Sequence, residues 1–139
     1  EAVVFSHRIA EHAIEKIKTI EVDETKFQEW DTTGTSHPKE MVLITQSLRE
    51  LKDIMSNYVG IVRNNVRLKR ASERLYLLFK ECEEMYNTTA ISPQLMELRN
   101  LITIGYLITR SALHRKESRG LHYTTDFPNH SEFTEETVL

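Results

Sequence analysis

Between residues 41 and 62 the apolar side chains Met41, Ile44, Leu48, Leu51, Met55, Tyr58 and Val62 follow one another at spacings of 3, 4, 3, 4, 3 and 4. A strand turns alternate residues to opposite faces, so this pattern suits only a helix with a continuous apolar seam, and a seam needs a neighbouring helix to cover it. Two further stretches repeat the theme. Leu68, Ala71, Leu75, Leu78, Phe79, Cys82 and Met85 form the apolar side of a helix over about 64–86, with Asn64 or Asn65 as its cap. Leu95, Leu98, Leu101, Ile102, Ile104, Leu107 and Ile108 form a band broader than one stripe, which predicts the most buried helix of the set. Only four glycines and three prolines interrupt 139 residues, and two of the prolines sit where helices start. Pro38 suits a first helical position, and Ser92-Pro93 pairs a hydroxyl cap with a proline whose missing N–H is no loss there. Gly105, inside the last helix, costs about 1 kcal/mol relative to alanine, a loss best offset by close approach of another helix.

These features predict an all-α fold: an antiparallel three-helix bundle over 38–128, with short connections between long helices. An extra helix over 1–20 precedes it, with Ala2, Phe5, Ile9, Ala13, Ile17 and Ile20 on one stripe. Residues 21–37, with the turn formers Asp31 to Ser36, form a linker, and residues 129–139 form a loose acidic tail. The opening residues Glu1-Ala2-Val3-Val4-Phe5 are helical in pattern without a Met or a capping residue, which reads as a helix entered partway along. Its apolar stripe, left uncovered, would favour dimerisation.

Composition removes several function classes. A net charge of −3 calls for no nucleic-acid partner, and the basic residues Arg63, Arg67, Lys69, Arg70 and Arg74 are balanced by Glu73, Glu81, Glu83 and Glu84 on a solvated helix face. Apolar runs are too short for a membrane span. The single cysteine, Cys82, falls on an apolar stripe and reads as a buried structural thiol in a reducing compartment. The scattered glycines Gly34, Gly60, Gly105 and Gly120 build no phosphate loop. His7 and His12 lie five apart on a helix, facing different ways, and no metal site can be assembled from them.

One cluster stands out: His114-Arg115-Lys116-Glu117-Ser118-Arg119-Gly120-Leu121-His122. Cations near a helix end are favoured by its dipole and Gly120 suits a left-handed stop, so a helix cap accounts for Arg115, Lys116 and Gly120. It does not account for Glu117, Ser118, Arg119 and His122, which could instead make directional hydrogen bonds to another protein surface. On the residues alone both readings stand.

The residues Arg115, Glu117, Ser118, Arg119, Gly120 and His122 match an R-x-E-S-R-G-x-H signature, and the chain here resembles the C-terminal domain of the succinate dehydrogenase, fumarate reductase and L-aspartate oxidase flavoprotein family. Residues 55–63 resemble its M-x-x-x-V-G-I-V-R segment, and Glu97-Leu98-Arg99-Asn100-Leu101 its E-L-R-N-L segment. Residues 1–5 resemble the continuation of the flavin domain's last helix. Dehydrogenases and fumarate reductases of the family continue A-H-x-R-x-D after the glycine. Here Leu121-His122-Tyr123-Thr124-Thr125-Asp126-Phe127-Pro128 has Thr124 in place of that second arginine, and is similar to the L-H-x-T-x-D-[YF]-P ending of the L-aspartate oxidase branch.

The resemblance implies a parent protein that binds FAD non-covalently and oxidises L-aspartate to iminoaspartate, passing electrons to oxygen or fumarate, in quinolinate and NAD biosynthesis in the bacterial cytoplasm. It places the flavin site and the catalytic residues outside this stretch. The bundle would then pack on its own FAD-binding domain, with the turn of Arg115, Glu117, Ser118, Arg119, Gly120 and His122 as docking motif and Glu117 and Arg119 as its polar anchors. Two alternatives remain: the same domain of a soluble fumarate reductase or succinate dehydrogenase flavoprotein, and a free-standing helical module whose 41–62 seam pairs with a partner.

Overall fold

The computed structural model describes residues 2–21, 31–36, 41–133 and 137, which fall into two compact units, residues 1–31 and 32–139. The first unit holds helix α1 (Ala2–Lys16). It stops four residues short of the span expected from its stripe. Thr19 turns its hydroxyl onto the Lys16 carbonyl at 3.0 Å and its N–H onto the same oxygen at 2.9 Å, a side-chain bond that competes with helix continuation. Phe5, Ile9, Ile17 and Ile20, all of the predicted stripe, are exposed.

The second unit contains α2 (Met41–Tyr58), the two-residue strand β1 (Val62–Arg63), α3 (Asn65–Thr88), α4 (Pro93–His114) and the two-residue strand β2 (Tyr123–Thr124). Each of the three long helices packs on the other two, most extensively α3 on α4. The junctions are those the sequence indicates. Asn64 caps α3 by accepting the Arg67 N–H at 2.8 Å. Ser92 caps α4 by accepting the Leu95 N–H at 3.2 Å, with Pro93 in the first turn. Pro38 lies outside the described residues. Part of the expected linker belongs to this unit instead: Ser36 receives the Ala90 N–H at 2.8 Å and gives its own N–H to Thr88 at 3.2 Å, stitching itself across the α3–α4 junction.

The core contains Ile44, Leu51 and Ile54 of α2, then Leu68, Ala71, Leu75, Leu78 and Cys82 of α3, with Leu95, Leu98, Ile102 and Ala112 of α4. Burial pushes the Cys82 thiol up to about 11, so it stays protonated and behaves as a small apolar group. In α2 the seam is rotated slightly from the heptad reading: Ile54 is buried, whereas Met41 and Val62 are exposed.

The broad band of α4 does not make it buried all round. Leu95, Leu98, Ile102, Gly105, Thr109 and Ala112, spaced 3, 4, 3, 4 and 3, face the core. Leu101, Ile104, Leu107 and Ile108 face out, because two neighbouring helices cover only one side of a cylinder. Gly105 is the point of closest approach. A β-carbon there would lie 3.2 Å from Met55 Sδ, 3.5 Å from Leu51 Cδ1 and 3.7 Å from Leu75 Cδ2, so the missing side chain lets α2 and α3 close on α4.

After α4 the chain makes a corner. The strands β1 and β2 pair in parallel, Val62 opposite Tyr123 and Arg63 opposite Thr124, and the Thr125 N–H extends the pairing to the Arg63 carbonyl at 2.9 Å. Asp126 then places a carboxylate oxygen on the Asn65 N–H, adding a negative group at the start of α3 where the helix dipole favours one. Among the described residues no helix is long and apolar enough to cross a membrane.

Candidate functional site: the corner after the last long helix

Helix α4 ends at His114, and Arg115 leaves it in an extended conformation (φ −81°, ψ 106°), giving its N–H to Ser111 at 3.1 Å. Gly120 is therefore not the helix stop. It takes a left-handed φ of +58° five residues later, in a two-residue turn closed by paired Arg119–His122 backbone bonds of 2.9 and 3.1 Å. Glycine at the first central position of such a turn avoids the clash that a β-carbon meets there.

The turn gathers all six candidate residues, and it directs their polar atoms largely into the chain itself. Arg115 donates from Nε to Glu117 Oε1 at 3.0 Å, and its Nη2 makes an ion-pair contact of 2.9 Å with the same oxygen. Arg119 donates from Nε to Oε2 at 2.9 Å, and the Ser131 N–H reaches the same oxygen at 3.0 Å. Arg119 Nη2 returns to the Ser131 carbonyl at 2.9 Å. Glu117 is only 5% exposed; the Ser131 amide, then the Arg115 and Arg119 guanidiniums, hold its carboxyl down at about 2. The carboxylate expected to anchor an outside surface is thus already occupied by three donors of its own chain. Its bonds, with that from the Ser118 N–H to Asn129 O at 3.0 Å, also fasten the first residues of the segment read as a loose tail.

Ser118 performs a separate task. Its hydroxyl donates to the Phe127 carbonyl at 2.8 Å and accepts the Thr124 N–H at 3.0 Å, bracing the loop between them. Thr124 is 2% exposed, and among the described residues its hydroxyl has no hydrogen-bond partner. A larger cationic side chain at this position would have to bury its charge.

His122 reads out its own tautomer. The Arg63 guanidinium has only donors, so its Nη1, 2.9 Å from His122 Nδ1, requires that nitrogen to be bare. The proton then sits on Nε2, which faces the Arg115 carbonyl at 3.3 Å. Burial, then the nearby Arg63 and Arg115 charges, lower the His122 pKa against the pull of that carbonyl. Arg63 also donates from Nε to the Val59 and Gly60 carbonyls at 2.9 and 3.1 Å, closing the end of α2.

Sequence reasoning missed Arg63, Asp126, Asn129 and Ser131 as parts of this corner. Arg63 looked like the first member of a basic stripe; it leaves that stripe for the corner, while Arg74 pairs with Glu50 at 2.8 Å. The available signal was its place in the same short segment as Val59 and Gly60.

The described residues do not suit a flavin dinucleotide. A pyrophosphate cradle needs clustered glycine amides at a helix start. Here Gly105 is inside the helical core, Gly60 abuts the Ser56 carbonyl, and Gly34 and Gly120 stand in separate turns.

The chain matches the family described as the C-terminal domain of fumarate reductase flavoproteins over residues 48–139. It is 40% identical over 139 residues to an L-aspartate oxidase of Pseudomonas aeruginosa, covering 100% of this chain and 26% of that protein. It is 46% identical over 111 residues to the L-aspartate oxidase of Acinetobacter baylyi, covering 80% and 20%. The chloroplastic L-aspartate oxidase 2-b of Nicotiana tabacum is 36% identical over 141 residues, covering 93% and 22%. The chain spans about a quarter of the length of these relatives.

Proposed function

The chain belongs to the fumarate reductase flavoprotein C-terminal family, and from that premise we propose that it is the helical part of an FAD-dependent L-aspartate oxidase. The protein containing it would oxidise L-aspartate to iminoaspartate and pass the electrons to oxygen or fumarate, in a bacterial cytoplasm. The bundle itself performs no chemistry in this reading. It packs on the flavin-bearing domain, and the apolar face of α1 packs there too, instead of pairing two copies. The turn at Arg115, Glu117, Ser118, Arg119, Gly120 and His122 acts as a self-braced docking element: Glu117 holds the two arginines in place, and their outer edges are presented to the partner.

The observation that carries the choice of oxidase over dehydrogenase is the buried Thr124. A buried threonine there agrees with the L-H-x-T-x-D-F-P ending and with the relatives' names. The test is turnover by the flavin-loaded full-length protein. L-aspartate should bleach the flavin and succinate should not; succinate turnover without aspartate turnover overturns the assignment. Arg119→Ala should lower flavin retention or aspartate turnover, and unchanged values for both remove the docking role.

A further inference from the structure

Beside the Glu117 cluster lies a cleft of about 330 Å³ bordered by Arg63, Leu107, Ile108, Ser111, Arg115 and His122. Its two cations differ. Arg115 is paired with Glu117, whose other oxygen binds Arg119. Arg63 is partly buried, its guanidinium meets two carbonyls and a neutral imidazole, and among the described residues no carboxylate pairs with it. Burial lowers its pKa without any opposing acid. A half-desolvated guanidinium whose neighbours are all neutral or positive leaves a strong demand for an anion. The wall beside it continues the outward face of α4, where Ile104, Leu107 and Ile108 are about half exposed.

We infer that this cleft receives an acidic side chain of the flavin-bearing part of the protein, whose carboxylate pairs with Arg63 while the apolar residues next to it settle on Leu107 and Ile108. The inference rests on the proposed function only in requiring that such a domain is present. Three observations select this occupant. The unmatched charge asks for a carboxylate, the adjoining surface asks for apolar contact that a free small anion cannot supply, and about three-quarters of the relatives' length lies outside the region this chain matches. The cleft thus extends the docking surface of the turn: the Glu117 cluster holds Arg115 and His122 in position, and Arg63 beside it has no carboxylate partner among the described residues.

The experiment compares melting of the 139-residue chain with that of the flavin-loaded full-length protein, each carrying Ile108→Glu, Arg63→Gln or Arg63→Lys. Ile108 is already in water in the isolated chain, so Ile108→Glu should leave its melting nearly unchanged and lower that of the full-length protein by about 5 °C or more. Arg63→Gln disturbs internal bonds in both proteins, and its shift should be larger in the full-length one. Arg63→Lys should recover part of that excess. Equal shifts in the two proteins for both Ile108→Glu and Arg63→Gln overturn the inference. So does tight binding of acetate to the isolated chain, read from the His122 ring resonances, together with unaltered melting of the full-length variants, since that marks a free-anion site. Melting is read without substrate, so a protein that prefers succinate refutes the oxidase reading and leaves this result standing.

Discussion

Removing the Leu75 side chain tests the core at its tightest point. Leu75 is 0% exposed, and its Cδ2 lies 3.7 Å from where a β-carbon of residue 105 would stand. Leu75→Ala deletes three buried carbons between α3 and α4, and at such sites the lost transfer energy and the residual cavity together cost about 3 kcal/mol. For a unit of this size that lowers the melting temperature by roughly 15 °C. Gly105→Ala alone should be close to neutral. Better helix propensity contributes about 1 kcal/mol, while the new methyl, 3.2 Å from Met55 Sδ, forces that flexible side chain aside. In the Leu75→Ala background the methyl and Met55 can both relax into the cavity, so Gly105→Ala should recover at least about 0.5 kcal/mol more than it contributes in the wild type. Urea unfolding of the four proteins of the cycle reads the coupling directly. A Leu75→Ala loss below about 1 kcal/mol, or strict additivity of the pair, would refute the packing described for this point.

Thr124→Val should stabilise the bundle by about 0.5–1 kcal/mol, since it replaces a buried hydroxyl that has no partner with a methyl of the same shape; a loss of stability in denaturant titration would mean the hydroxyl is satisfied. Asn64→Ala and Ser92→Ala should each cost about 1 kcal/mol and add, because the caps start different helices; thermal melts of the single and double variants check both points. Acid should weaken the corner in two steps. The lowered His122 pKa means that the unfolded chain takes the proton first, so its contribution is complete above about 6.5 and is lost as pH falls from there to the folded value. The lowered Glu117 pKa places a second loss between about 4.5 and about 2; His122→Asn should abolish the upper step in stability measured against pH and Glu117→Gln the lower one.

How far the sequence could be read depends on which forces are local. Helix starts were legible at Asn64 and Ser92, because a cap is a bond between a side chain and a backbone three residues away. The core faces of α3 and α4 were legible from period alone. The outward turn of Leu101, Ile104, Leu107 and Ile108 was not, since period reports which residues share a face and says nothing of how many neighbours cover it. The corner failed in the same way. Arg115, Glu117 and Arg119 are close in sequence and their grouping could be seen, but Glu117 turns inward because Ser131 comes back to it. Arg63 joins His122, 59 positions away, because a parallel strand pair sets Val62 opposite Tyr123 and Arg63 opposite Thr124. Parallel pairing requires a long crossover, here all of α3 and α4, and no spacing rule in the intervening sequence announces it.

That crossover also explains why a corner so rich in charge is better suited to holding than to reacting. Among the described residues its acid and its imidazole are both bonded within the chain: Glu117 to two arginines and an amide, His122 as a neutral link between a guanidinium and a carbonyl. Such closure fixes the geometry of these side chains. What closure leaves over is an imbalance at Arg63 and an uncovered apolar strip on α4. The two adjoin because the same strand pair that brings Arg63 to His122 also lays it against the end of α4. If the corner docks as proposed, its rigidity comes from the bonds within and its affinity from Arg63 and the exposed strip of α4.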